Sequence, residues 1–145
     1  MMARVKVPVD ECPAGPEIDA AVAQALGYEV QWSPQPDGFR APIYLVGTIT
    51  WYDDGVDRPH WTIVPNYSLE IAAAWELIER LKDKAFDVSL EIRWDFSCWA
   101  ACFFGDWTSG YGGDAIYRAE GETAPLTISR AFLKANGMEY VEVLE

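Results

Sequence analysis

His60 is the only histidine in the chain, and it stands between Pro59 and Trp61. A lone imidazole can serve as a general base. No GxSxG elbow or HExxH pair accompanies it. Asp53, Asp54 and Asp57 supply carboxylate oxygens of the kind a divalent cation takes, without the rest of a calcium loop, so they read as a solvated turn. Cys12, Cys98 and Cys102 are odd in number and form no CxxC pair. With one histidine they do not make a zinc set, and free thiols in a reducing cytoplasm are expected. Gly105 to Gly113 holds four glycines, but no Lys-Ser/Thr follows as in a phosphate loop, and no GxGxxG occurs. The expectation is a protein without catalytic residues, metal or cofactor.

Recognition chemistry is better represented. Trp61, Tyr67, Trp94, Trp107 and Tyr111 fall near expected strand ends or in loops. Flat aromatic faces stack on nucleobases, at roughly 1–3 kcal/mol per base. Ser68 and Thr123 precede helices whose first N–H groups can meet a phosphate. Arg93 and Arg130 can add bidentate contacts. These nine residues are the candidate ligand-binding set. Each also has a structural use: rings fill cores, hydroxyls cap helices, and arginines pair with carboxylates.

Composition sets the wider bounds. The chain has 145 residues, enough for one domain, 1–145, around one core. Half its residues are hydrophobic, and seven Trp, seven Tyr and six Phe give ample apolar area. Eleven Lys and Arg face 23 Asp and Glu, for a net charge of −12. That balance disfavours nucleic-acid backbones and anionic membranes as partners. No apolar h-region follows Arg4 and Lys6, and no run is long enough to span a bilayer.

The elements follow from periodicity. Ala3 to Val9 reads as an edge strand or a loose arm. Glu17 to Leu26 carries Ile18, Val22, Ala25 and Leu26 on one helical face, stopped by Gly27. Gln31 to Pro42, with three prolines, reads as a loop. Ile43 to Tyr52 reads as a buried strand and His60 to Val64 as its partner. Ser68 is taken as the N-cap of a helix with Ile71, Ala74, Trp75, Ile78 and Leu81 on one face. Val88 to Phe96 alternates as a strand, Trp99 to Phe104 reads as a buried one, and Asp114 to Ala119 as another. Between them Gly105 to Gly113 is a loop. A third helix spans Ala124 to Ala135, capped by Thr123 and stopped by Asn136-Gly137; Met138 to Leu144 closes as a strand. The class is α+β: an α/β/α sandwich, mainly antiparallel sheet with about three helices packing small-residue faces onto it.

Three blocks carry a resemblance. Pro13-Ala14-Gly15 with Glu17-Ile18-Asp19-Ala20-Ala21-Val22-Ala23, then Tyr67-Ser68 with Ile71-Ala72-Ala73-Ala74-Trp75-Glu76, then Thr123-Ala124-Pro125-Leu126 with Ile128, Arg130, Ala131 and Leu133, resemble in order the helices of the phage ABA sandwich family. The departures are a long insertion, Gln31 to Trp61, and Pro16 in place of a charged residue. The resemblance implies a small phage-encoded protein at work in the host bacterial cytoplasm, and it carries over no catalytic residues. With the aromatic excess it leads to one expectation: a non-catalytic homo-oligomer that sequesters a nucleotide-derived bacterial immune signal. Two alternatives stay open, an acidic protein-binding inhibitor of a host defence enzyme and a phage accessory protein with no defence role.

Overall fold

The computed structural model describes residues 4–34, 40–50, 53–82, 87–93, 98–104 and 116–144; β5 and β6 below are described by their backbone. In chain order the elements are β1 (Arg4–Pro8), a 3-10 turn (Val9–Glu11), α1 (Pro16–Ala25), β2 (Val30–Pro34), β3 (Arg40–Thr50), β4 (Asp57–Ile63), α2 (Ile71–Lys82), β5 (Asp87–Arg93), β6 (Cys98–Phe104), β7 (Ile116–Gly121), α3 (Ala124–Ala135) and β8 (Tyr140–Leu144). The class is α+β, and every ladder is antiparallel.

Among the described residues the strands form three ladders, β1-β8, β2-β3-β4 and β5-β6-β7, where one pleated layer was expected. Helix α3 joins them. It packs on β6 and β7, on α2 and on α1, while α1 reaches β3 and β8. Its bounds match the expected ones because both ends carry strong signals. The Thr123 hydroxyl accepts the Leu126 N–H at 3.4 Å, and Pro125 sits in the first turn, where no intrahelical donor is lost. At the other end Gly137 adopts φ 81°, a left-handed geometry that glycine adopts without strain. Ile128, Ala131, Phe132 and Leu133 from α3 enter one core with Ile18 and Val22 from α1 and with Ala74, Leu77 and Ile78 from α2.

Three expectations are corrected. The segment read as a loop, Gln31 to Pro42, contains β2 and the start of β3. Pro34 ends β2, an edge strand, where a proline forfeits no central ladder bond; Pro42 lies in the central β3 but stands beyond Ile63, where β4 ends. The strand read as buried is half-buried at Ile43, Tyr44 and Leu45 and exposed beyond them. Val46 is the extra residue of a bulge between Leu45 and Gly47, and every described residue from 46 to 60 is exposed. Beyond Leu45, β3 and β4 therefore form a projecting arm, and Asp57 to Pro59, expected in its loop, pair with Thr50 to Thr48. Lastly, Ser68 does not cap α2. The helix starts at Ile71, after a turn in which the Leu69 and Glu70 N–H groups bond the Asn66 carbonyl.

Candidate functional site

The groove with the most functional chemistry lies between the Asp10–Ala14 segment, β7 and the first three turns of α3. It has a volume of about 1020 Å³. Two residues one turn apart on α3, Arg130 and Lys134, cross it in parallel. Arg130 donates through Nη2 to the Cys12 carbonyl at 2.7 Å, through Nε to the same oxygen at 3.3 Å, and through Nη1 to the Glu120 carbonyl at 2.8 Å. Lys134 donates through Nζ to Asp10 Oδ2 at 2.6 Å and to the Arg118 carbonyl at 2.8 Å. The match is geometric. Four residues of helix advance about 6 Å, and two residues of strand advance about 6.6 Å. Positions 130 and 134 therefore stand over the carbonyls of 120 and 118, respectively.

Gly121 lets β7 end this close to α3. A Cβ there would stand 2.8 Å from Thr127 Oγ1 and 3.3 Å from the Thr127 nitrogen. The Thr127 hydroxyl in turn donates to the Thr123 carbonyl at 2.7 Å. The groove wall thus combines a capped helix start, a half-buried guanidinium and the Arg118–Glu120 ion pair at 3.3 Å. Asp10, Glu11 and Glu122 complete the rim. Burial weakens the hold of Arg130 on its proton, while Asp10, Cys12 and Glu122 strengthen it. The Cys12 thiol is pushed up to about 11, mainly by burial and then by Glu17, against the pull of Arg130. It therefore stays protonated at neutral pH and supplies no thiolate. The chemistry on offer is recognition through charge and hydrogen bonds.

The structure brings together two of the nine sequence candidates, Arg130 and Thr123, on this groove. Tyr67 is 3% exposed and packs in the core, with its phenol pushed up by burial. Ser68 is fully buried, and its hydroxyl accepts the Gly15 N–H at 2.9 Å, so it holds the start of α1. These two are sealed inside the fold, away from any groove. Trp61 lies half-buried on β4, opposite Leu45, in the β2-β3-β4 ladder. Arg93 ends β5, opposite Cys98, and its side chain is outside the described residues. Trp94, Trp107 and Tyr111 also lie outside the described residues.

Sequence reasoning missed Arg118, Lys134 and the three carbonyls, of Cys12, Arg118 and Glu120, that accept from Arg130 and Lys134. The spacing of Arg130 and Lys134, two cations at i and i+4 on a helix otherwise buried, was the available signal. A second groove, about 480 Å³, lies beside Ala20 and Ala21 of α1 and includes Trp32, Met138 and Tyr140. It gathers aromatic rings without an arginine, and the first groove gathers arginines without a ring. Among the described residues no cluster of His, Cys, Asp and Glu can hold a metal ion, and no helix is long and apolar enough to cross a membrane.

No curated protein matches the chain. A family match does exist, and it spans all three helices, from within α1 to within α3: the sequence pattern of the phage ABA sandwich domain covers residues 22–133. By that match, and by an architecture of three helices on antiparallel ladders, the chain belongs to the phage ABA sandwich domain family.

Proposed function

We propose that this phage protein is a non-catalytic binder that holds a nucleotide-derived signal of bacterial immunity in the groove between the Asp10–Ala14 segment, β7 and α3. The observation that carries this reading is a trio of cations, Arg118, Arg130 and Lys134, which share their groove with the four carboxylates of Asp10, Glu11, Glu120 and Glu122. Three of the chain's 11 lysines and arginines line one groove of a protein with net charge −12. The groove's size suits a nucleotide. A phosphate can compete for Lys134, whose pairing with Asp10 is partly exposed and worth at most about 1 kcal/mol. Arg130 is held in place by backbone carbonyls, so its orientation is set before a ligand arrives. The setting is the cytoplasm of the infected host.

Scanning fluorimetry against cyclic nucleotides and ADP-ribose cyclisation products tests the reading. At least one ligand should raise the melting temperature by several degrees, as expected near 100-fold saturation. Lys134→Gln and Arg118→Gln should each lower that shift. No shift with any of these ligands would sink the proposal.

A second reading, an acidic inhibitor of a host defence enzyme, is supported by the arm. Asp53, Asp54 and Asp57 are exposed at and beside its tip, where Asp54 accepts the Val56 N–H at 3.0 Å and pairs with Arg58 at 2.5 Å. Pull-down from host lysate separates the two readings. A contact made by the acidic tip should weaken with added salt and with Asp53→Asn/Asp57→Asn.

A further inference from the structure

The β2-β3-β4 ladder has two faces of unequal fate. One face carries Val30, Tyr44 and Val64, which pack on or within the core, and Pro42, which is buried. By strand alternation the other face carries Ile43 opposite Ile63 and Leu45 opposite Trp61. None of these four belongs to the core of the described residues or packs against it; Ile43, Leu45 and Trp61 are half-buried and Ile63 is 63% exposed. An antiparallel sheet with one face on a core ordinarily turns polar side chains outward. Here the outward face is a block of four large apolar side chains.

We infer that this block is a self-association surface, on which a second copy of the chain packs sheet against sheet. Charge selects the occupant. The block and its β2 neighbours Gln31 and Ser33 carry no charge, in a chain of net charge −12. A basic partner would be drawn to carboxylates, and none stands here. Two acidic copies, by contrast, repel each other least where neither presents charge. The register also suits a two-fold axis. A two-fold axis lying between the two sheets and along the strands sets Ile43 of one copy over Ile63 of the other and Leu45 over Trp61, an isologous contact. Two sheets pack about 10 Å apart with such side chains interdigitated. A stable pair needs about 800 Å² from each copy. The four side chains supply its centre, and the uncharged Gln31, Ser33 and Ala41, on the same face by strand alternation, supply its margin.

Sedimentation velocity on the full chain tests this, up to about 100 µM, in low and in high NaCl. The expected result is a monomer–dimer equilibrium whose dimer fraction rises with salt, because screening removes repulsion while apolar contact persists. Ile63→Asp should weaken dimerisation at least about tenfold, and Leu45→Ser should weaken it too. Ile63→Ser guards against a folding defect, since a neutral change at so exposed a site leaves the melting temperature near wild type while still weakening the dimer. A chain monomeric at the top concentration in both salts would overturn the inference and leave the block to a different protein. So would a dimer that none of the three variants changes, or one that salt dissolves.

Discussion

Asp19 shows how one residue can be read correctly by position and wrongly by use. An acid in the first turn of α1 suits the helix dipole. The structure instead buries it at 2% exposure, with Oδ1 accepting the Ser68 N–H at 2.8 Å. Together with the Ser68 hydroxyl on Gly15, this ties the starts of two helical segments 49 residues apart. Burial raises the carboxyl from 3.8 to about 6, with the Ser68 hydrogen bonds pulling it back down and Glu17 and Glu70 pushing it up. The sign follows from linkage. Between about pH 4 and pH 6 the folded chain keeps a proton that the unfolded chain has released, so this group's contribution to stability falls as pH rises and is lost above about 6. About two pH units, at 1.36 kcal/mol each, put the loss near 3 kcal/mol. Asp19→Asn does not titrate and keeps an acceptor for Ser68. Urea unfolding should therefore show the variant gaining on wild type by about 3 kcal/mol between pH 4 and pH 7; a constant difference would mean that the carboxyl titrates as in water. Ser129 makes a simpler case. Its hydroxyl is buried without a hydrogen-bond partner, so Ser129→Ala should raise stability by about 1 kcal/mol in the same assay.

At the scale of elements, α3 is strapped to β7 by two cations of unequal weight. Arg130 is half-buried and satisfies two carbonyls, whereas Lys134 ends on an exposed carboxylate and one carbonyl. Hydrogen bonds to charged groups contribute about 1.5–3 kcal/mol, and exposed ion pairs about 0–1 kcal/mol. Arg130→Gln should therefore lower unfolding free energy by about 2–3 kcal/mol and Lys134→Gln by about 1 kcal/mol or less; equal losses would show that the two rungs are equivalent. The boundaries of α3 were legible because Thr123, Pro125 and Gly137 each act within a turn of their own position. The two partners of Arg130 were not. Cys12 is 118 residues away, and Glu120 is reached only because Gly121 admits a close approach. Ser68 misled for the same reason. A hydroxyl before an apolar run signals a cap locally, and here a glycine N–H 53 residues distant claims it. Gln31 to Pro42 misled differently. Prolines break central strands, but Pro34 ends an edge strand and Pro42 stands past the end of β4, and composition carries neither strand order nor register.

Across the whole molecule, the surplus of 12 negative charges acts against the ion pairs that decorate the surface. The pairs between Lys134 and Asp10 and between Arg118 and Glu120 are each at least partly exposed, and such pairs are worth at most about 1 kcal/mol each. Repulsion among 23 carboxylates against 11 cations is longer in range and is spread over the whole surface. Raising ionic strength from about 10 mM to 150 mM cuts the screening length from about 30 Å to 8 Å. That removes repulsion between charges on opposite sides of the molecule but leaves pairs at contact distance less affected. Melting temperature should therefore rise with NaCl over this range, by about 2–6 °C if roughly 1 kcal/mol of repulsion is relieved in a chain of this size. The measurement belongs at low protein concentration, with the Ile63→Asp variant alongside, so that dimer formation does not add its own salt-dependent gain. A melting temperature that falls with salt would place the local pairs above the global field. The sequence's charge count, which weighs a pair at contact and two distant charges alike, would then mislead about stability.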